Sequence, residues 1–317
     1  MSKNSMAFDE IDETGIQQVN DSMKMLMGEL ANFQDIARYV KPLPGEIPAL
    51  DGIDIYGETI PLNGIVGGDH IVYVDFKKRY DLDARIKKAR DRGQDDVVKK
   101  LEECRFKAGV AVADVSGHQI TDALLAAMLH QAFLMGAIYE MDYYGNITAK
   151  LFENLNTRFY NSSSLSKFIT MIYGEISQEG HFQFLSAGHP MPLVYSRRYK
   201  GIVEVPEDRM IASPPIGTLP SQRDIDRNIN ESVLGFKEEY ELNEWDLMGT
   251  GDIFILYTDG LVEHHRNGEF YAPHYLEQKL REIEDLTSKE IFYAIKEDLI
   301  AFNAPDDDIS YVVIKRH

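Results

Sequence analysis

Residues 109–118 read GVAVADVSGH, and the rest of the chain is arranged around them. Gly109 to Ala113 is a short apolar run of the kind that forms a buried strand, and it delivers Asp114 to a tight turn. A strongly apolar helical segment then begins at Thr121. A carboxylate at a strand end, beside small residues that allow close approach, can hold a cation; the same residue more often serves as a turn or helix cap. Three further Asp residues sit at strand boundaries. They are Asp69 in GIVGGDH (64–70), Asp259 in IFILYTDGLVE (253–263) and Asp307 in PDDDISYVVIKR (305–316).

The 317 residues suffice for one large or two small domains with a substantial core. A net charge of −19 argues against a nucleic-acid-binding surface and against docking on an anionic membrane, so neither partner is expected. The single cysteine, Cys104, excludes an internal disulfide and fits a reducing compartment. No apolar run is read as long enough to span a bilayer, and the start MSKNSMAFDE has no signal-peptide character. The expected location is the cytoplasm.

Residues 1–13 read as disordered, and 14–41 as a helix. Ile16, Val19, Met23, Leu26, Leu30, Phe33, Ala37 and Val40 follow one another at alternating steps of three and four, a heptad seam that KPLPGEIP (41–48) terminates. The seam suits a short coiled coil pairing two chains, or a helix laid on its own domain. Strands are expected over Ile53–Ile60 and Ile71–Phe76. The intervening loop contains Gly64, Gly67 and Gly68, which let the backbone fold tightly before Asp69.

Residues 77–107 carry twelve Lys or Arg against seven Asp or Glu. They read as a helical hairpin inserted between two strands, either a solvated excrescence or a docking arm for an acidic partner. Residues 121–141 are strongly apolar and are expected to form a buried helix, with a second helix over 147–159. Short strands over 167–176, 181–185 and 193–195 suggest antiparallel pairing. Residues 209–244 show little periodicity and read as an excursion or lid. A strand at 253–258, helices at 274–281 and 288–302, and a strand at 309–315 complete the α+β pattern.

If the four strand ends are neighbours, their Asp side chains converge, and converging carboxylates raise one another's pKa unless cations neutralise them. Oxygen-only ligands select Mg²⁺ or Mn²⁺ over zinc. Two such ions bind phosphate oxygens, activate a bridging water and steady in-line attack on phosphorus. Neither a Walker A sequence nor GxGxxG is present. His264 and His265 are adjacent, a poor arrangement for reaching one zinc ion.

Several of these segments together resemble a known family. GGD at 67–69, ADVSGH at 113–118, SAGHP at 186–190, PPIG at 214–217, LYTDGLVE at 256–263 and DDIS at 307–310 occur in the order seen in SpoIIE-type (RsbU-like) phosphatases. That family is the bacterial serine/threonine branch of the metal-dependent PPM, or 2C-type, phosphatases. The resemblance runs from about Ile53 to His317, within a domain expected over 50–317.

The resemblance implies an αββα sandwich, two antiparallel sheets flanked by helices, with two Mn²⁺ or Mg²⁺ ions at one end. By motif match, Asp114 and Asp259 correspond to ligands shared by the metals, and Asp69 and Asp307 to ligands of individual metals. The Val115 carbonyl corresponds to the backbone ligand. Asp308 is the alternative to Asp307, because Asp306, Asp307 and Asp308 are consecutive. His118 is either a proton donor to the leaving oxygen or a hydrogen-bonding residue that holds the turn. His189 is expected to be structural.

Two features depart from the family pattern: Gln119 stands where the family has glycine, and the basic insert lengthens the Asp69–Asp114 gap. The function implied is hydrolysis of phosphoserine or phosphothreonine by a metal-bridging water. The implied substrate is a phosphorylated STAS-domain anti-sigma-factor antagonist in partner switching, and an upstream activator protein and a homodimer through 16–40 belong to the same reading. The alternative is a catalytically silent signalling module with this fold; a nucleotide phosphodiesterase has less in its favour.

Overall fold

Period-two alternation in the strands sets the layers of the molecule, which is described here from a computed structural model covering residues 13–38, 46–62, 67–117, 120–162, 167–222, 232 and 234–317. Helix α1 (Glu13–Arg38) comes first, then strands β1 (Ile53–Ile60) and β2 (His70–Asp75). The insert forms α2 (Phe76–Arg79), α3 (Leu82–Asp91) and α4 (Asp95–Glu103). Strand β3 (Lys107–Val115) leads to α5 (Ile120–Tyr143) and α6 (Ala149–Ser162). A run of strands follows: β4 (Ile169–Ser177), β5 (Phe182–Ala187), β6 (Leu193–Ser196), β7 (Gly201–Val203), β8 (Ala212–Ser213), β9 (Asn243–Trp245) and β10 (Ile253–Tyr257). The remainder is α7 (Asp259–Glu263), the hairpin β11 (His265–Arg266) and β12 (Glu269–Phe270), α8 (His274–Ile283), α9 (Ser288–Phe302) and β13 (Ile309–Arg316).

One sheet has the order β1-β13-β10-β6-β7, with every pair antiparallel. The other runs β2-β3-β4-β5-β8, with β9 also on β5; its only parallel pairing is the two-residue β5–β8 contact. In β3, Val110 and Val112 face the other sheet, where they meet Phe254, Leu256, Val312 and Ile314. Ala111, Ala113 and Val115 face the opposite way, towards Phe133 and Met141 of α5 and Leu151 and Phe152 of α6. On the first sheet, Tyr257, Tyr311 and Val313 turn outward onto Leu276 and Leu280 of α8 and Phe292, Ile295 and Leu299 of α9. Helix, sheet, sheet and helix therefore stack in four layers, as the resemblance implied. Helix α9 starts with a capping box, Thr287 accepting from the Glu290 amide while Glu290 accepts from the Thr287 amide.

The structure corrects several expectations. The hairpin is not a solvated excrescence: Tyr80, Leu82, Ile86, Ala89, Leu101 and Cys104 are buried in the cluster that holds Val74, Tyr173 and Met141. Much of its positive charge is matched internally or by α5, through Arg90–Glu102 (2.6 Å), Arg85–Asp142 (3.0 Å) and Lys88–Asp142 (3.1 Å). Arg85, Lys88 and Arg90 are therefore already engaged within the chain.

Helix α5 is buried along only one face. Leu129, Phe133, Ala137 and Met141 are inaccessible, whereas Leu124, Met128, Met135, Ile138, Tyr139 and Tyr143 lie exposed on the other. The segment Asp122–Tyr143 is also long and apolar enough to cross a membrane by length and composition, contrary to the sequence reading; its buried face packs on the sheet of β3. Within 209–244, short strands β8 and β9 join the sheet edge at β5. Buried Lys237 ties the segment to α6 through Glu153 (2.9 Å). The expected disordered residues 1–12 and the helix-breaking stretch 39–45 lie outside the described residues, as do the side chains of Phe33, Ala37 and Val40.

Candidate metal centre

Strand register brings the acidic residues to one end of the sandwich. His70 pairs with Ala113, so the start of β2 lies beside the end of β3, with Asp69 just before the one and Asp114 near the end of the other. Tyr257 pairs with Tyr311, so the end of β10 lies beside the start of β13, with Asp259 just beyond the one and Asp307 two residues before the other. Two antiparallel pairs, one from each sheet, thus present their carboxylates at a common edge. A hydrogen bond crosses between the sheets there, from Thr258 Oγ1 to Asp69 Oδ2 (2.6 Å).

The carboxylates feel one another. Asp69 is buried, and burial followed by the Asp114 charge raises its pKa well above the ordinary value, with Thr258 opposing the rise by hydrogen bonding. Asp114 is pushed up to about 7, first by burial, then by the charges of Asp259 and Asp307, with Asp308 weaker. Among the described residues no three acidic, histidine or cysteine side chains close on a single point; the carboxylates surround a shared region and are not drawn into one cluster. The donor set is nonetheless all oxygen and carries mutual repulsion, the chemistry that hard divalent cations relieve.

The consecutive Asp residues divide their tasks. Asp308 is buried, and its carboxylate accepts from the Leu62 amide (2.7 Å) and the Gly68 amide (2.9 Å), which fixes the segment ahead of Asp69. Gly67 packs so closely there that a Cβ on it would lie 1.6 Å from Asp308 Oδ2. Asp307 is only half-buried and accepts from the Asp308 amide (2.6 Å). Of the two, Asp307 contributes more than Asp308 to the rise at Asp114.

The Val115 amide donates to the Gly68 carbonyl (3.3 Å), and a Cβ on Gly68 would lie 2.7 Å from the Val115 carbonyl oxygen. The turn carrying the expected backbone ligand is thus seated directly on the Gly67–Gly68 segment. His118 and Gln119 lie outside the described residues.

His189 and His264 have partners of their own. His189 is buried, bonds Thr170 Oγ1 through Nδ1 (3.0 Å), and is held neutral by burial, its pKa lowered to about 3. His264 packs against Tyr271 and Phe302, with Nε2 at 3.1 Å from the Leu299 carbonyl, which leaves no role in a zinc site.

Sequence reasoning missed the hydroxyls behind the carboxylates. Thr258 is inaccessible to solvent; besides donating to Asp69, its Oγ1 accepts from the Ser310 amide (3.0 Å), and Ser310 Oγ lies 2.6 Å from Thr59 Oγ1. The available signal was position: one hydroxyl residue immediately precedes Asp259 and another follows Asp308 by two, at apolar strand ends where an unpartnered hydroxyl is costly.

The model of the family described as Stage II sporulation protein E (SpoIIE) matches residues 105–317. A search of curated protein sequences returns no match. Among solved structures, the chain is similar to the SiaA PP2C domain of Pseudomonas aeruginosa, with a TM-score of 0.59 and 16% identity over 94% of this chain and 98% of that one. It is similar to the RsbU and RsbW domains of a Mycobacterium tuberculosis protein, with a TM-score of 0.57 and 20% identity over 86% of this chain and 62% of that one. For the PP2C phosphatase domain and regulatory fragment of SpoIIE from Bacillus subtilis, the TM-score is 0.54 and the identity 16%, over 83% of this chain and 63% of that one. The chain thus spans less than two thirds of the length of the latter two structures. These likenesses establish a PP2C-type fold, and the family model over two thirds of the sequence shows that the chain belongs to the SpoIIE family.

Proposed function

We propose that this chain is a metal-dependent protein serine/threonine phosphatase. The observation that carries the proposal is the placement of Asp69, Asp114, Asp259 and Asp307 at one end of the sandwich, with Asp114 raised to about 7 by burial and then by its acidic neighbours. In this reading Asp69, Asp114, Asp259 and Asp307, with the Val115 carbonyl, would hold two divalent ions. Bound Mn²⁺ or Mg²⁺ supplies positive charge for phosphate oxygens and activates water for attack on phosphorus. Magnesium occurs in the solved RsbX complex, whose fold this chain shares at a TM-score of 0.50 and 15% identity.

The protein's own groups do the rest. Thr258 orients Asp69 by donating to one of its oxygens. Asp308 spends its charge on the Leu62 and Gly68 amides and so keeps the loop under Asp69 in place. His118, adjoining Gly117, is assigned proton donation to the leaving serine or threonine oxygen.

The proposed substrate is a phosphorylated STAS-domain protein of a partner-switching circuit, acted on in the cytoplasm and under an upstream activator. Homodimerisation through residues 16–40 belongs to the proposal. Ile16, Val19, Met23 and Leu26 stand 49–65% exposed on α1, and an isolated helix with a bare apolar stripe gains most of its stability from a partner. The deciding experiment is release of para-nitrophenol from para-nitrophenyl phosphate, with Mn²⁺ and with chelator, beside Asp259→Asn. Turnover that needs metal and disappears in the variant supports the reading. Folded protein that neither binds Mn²⁺ nor turns over points to the silent module, and folded protein that binds Mn²⁺ without turnover to an enzyme awaiting its activator.

A further inference from the structure

The metal turn is held from beneath by a lysine that none of the family motifs contains. Ser116, the residue after Val115, has every backbone and side-chain polar group engaged by the entry to β4. Its amide donates to the Phe168 carbonyl (3.0 Å), its Oγ accepts from the Phe168 amide (3.1 Å), and its carbonyl accepts from Lys167 Nζ (2.6 Å). Lys167 Nζ also forms an ion pair with Asp122 Oδ1 (2.8 Å) in the first turn of α5, where Asp122 is wholly buried. Gly117 lies over this pair with φ at +117°, and a Cβ there would fall 2.5 Å from Lys167 Nζ and 2.7 Å from Asp122 Oδ2.

We propose that Lys167 is a positioning residue for the metal centre, aimed by Asp122, that fixes the peptide planes of the turn and so the direction of the Val115 carbonyl. The inference rests on the metal-centre reading given above. A peptide unit is planar, so fixing an N–H fixes the carbonyl across the same bond. The Ser116 amide shares its plane with the Val115 carbonyl, and Phe168 fixes that plane. The Ser116 carbonyl belongs to the next plane, and Lys167 fixes that one. With both planes held, the Val115 carbonyl cannot swing away without breaking a bond on one side or striking Gly68 on the other. Asp122 confines the ammonium to the position from which it reaches Ser116, and it does so from the helix that follows the turn.

The test is Mn²⁺ binding by titration calorimetry, with thermal unfolding in chelator as the check on fold. Lys167→Met should weaken Mn²⁺ binding about tenfold or more, the size of loss typical when a group orienting a ligand is removed. It also leaves Asp122 buried without its cation, so its stability falls. The double variant Lys167→Met with Asp122→Asn should regain that stability while Mn²⁺ binding stays weak. Lys167→Arg, which can still reach a carbonyl, should bind within about threefold of wild type. Single-variant affinity within about twofold of wild type overturns the inference. So does a double variant that recovers affinity together with stability, because the pair would then only balance charge. Wild-type protein that binds no Mn²⁺ overturns the metal-centre reading itself, and this inference with it.

Discussion

Replacing Asp114 by Asn should stabilise the metal-free protein and weaken its hold on metal, and the size of the first effect follows from the geometry. The Asp114 carboxyl is raised from an ordinary 3.8 to about 7, by burial and by the charges of Asp259 and Asp307. The folded protein therefore binds this proton more tightly than the unfolded chain does. The associated stability is complete below about pH 4 and is lost as pH rises towards 7, above which the ionised group acts against folding. A rise of that size corresponds to about 4 kcal/mol as a ceiling. Asp69 shares the repulsion, so removing the Asp114 charge alone should gain about 2–4 kcal/mol at pH 8, and about half as much at pH 5.5.

For a chain of this length that is a rise of about 4–8 °C in Tm at pH 8. The assay is thermal unfolding of wild type and Asp114→Asn in EDTA at both pH values, repeated with saturating Mn²⁺. With metal the order should reverse, because binding to the folded state stabilises wild type by about 4.1 kcal/mol at a thousandfold excess over Kd. If the variant in EDTA is no more stable than wild type at pH 8, or its advantage does not grow with pH, the carboxylates are not the neighbours described and the site reading fails.

Three further outcomes are expected. Thr258→Val removes the donor to Asp69 and the acceptor for the Ser310 amide, and should cost about 1.5–3 kcal/mol in urea unfolding at pH 8; a loss too small to measure would show that the hydroxyl supports nothing. Leu101→Ala, in the inserted hairpin, should cost about 2–5 kcal/mol because Leu101 is 1% exposed in the core; a change near zero would return the hairpin to the surface. Deleting residues 1–40 should shift sedimentation from dimer towards monomer and alter phosphatase activity or its response to an activator; a truncated protein of unchanged assembly state and activity would remove α1 from the regulatory account.

The strands were legible because the continuous apolar runs of β3 and β10, and the mostly apolar β13, report burial directly. Strand β1 spans the residues expected, and β2 is displaced by one residue at each end. The four acidic positions were legible for a related reason: each is a charged residue next to an apolar strand. Which face of α5 is covered was not legible, since a helix apolar all round carries no asymmetry to read, and only the packing of Phe133 and Met141 distinguishes it from Met135 and Tyr139. The hairpin misled in the opposite sense, because the Lys and Arg residues that dominate its composition lie outside a narrow buried stripe of Leu82, Ile86 and Leu101. Asp307 and Asp308 could not be told apart by pattern, because their difference lies in contacts with Leu62 and Gly68, some 240 residues earlier. Lys167 had no pattern at all; its role appears only where β4 meets the turn.

The position of β13 between β1 and β10 has a consequence for how the protein folds. Its residues, 309–316, join two strands of one sheet, and the two residues before them are Asp307 and the anchor Asp308. Residues 53–60 and 309–316 are separated by about 250 residues of chain, so pairing them closes the longest loop in this sheet. A product truncated before residue 307 has half of one acidic edge and no strand to align β1 with β10. The acidic edge is therefore complete only once the most distant segments of this sheet have paired, the kind of non-local step that loop-closure entropy slows.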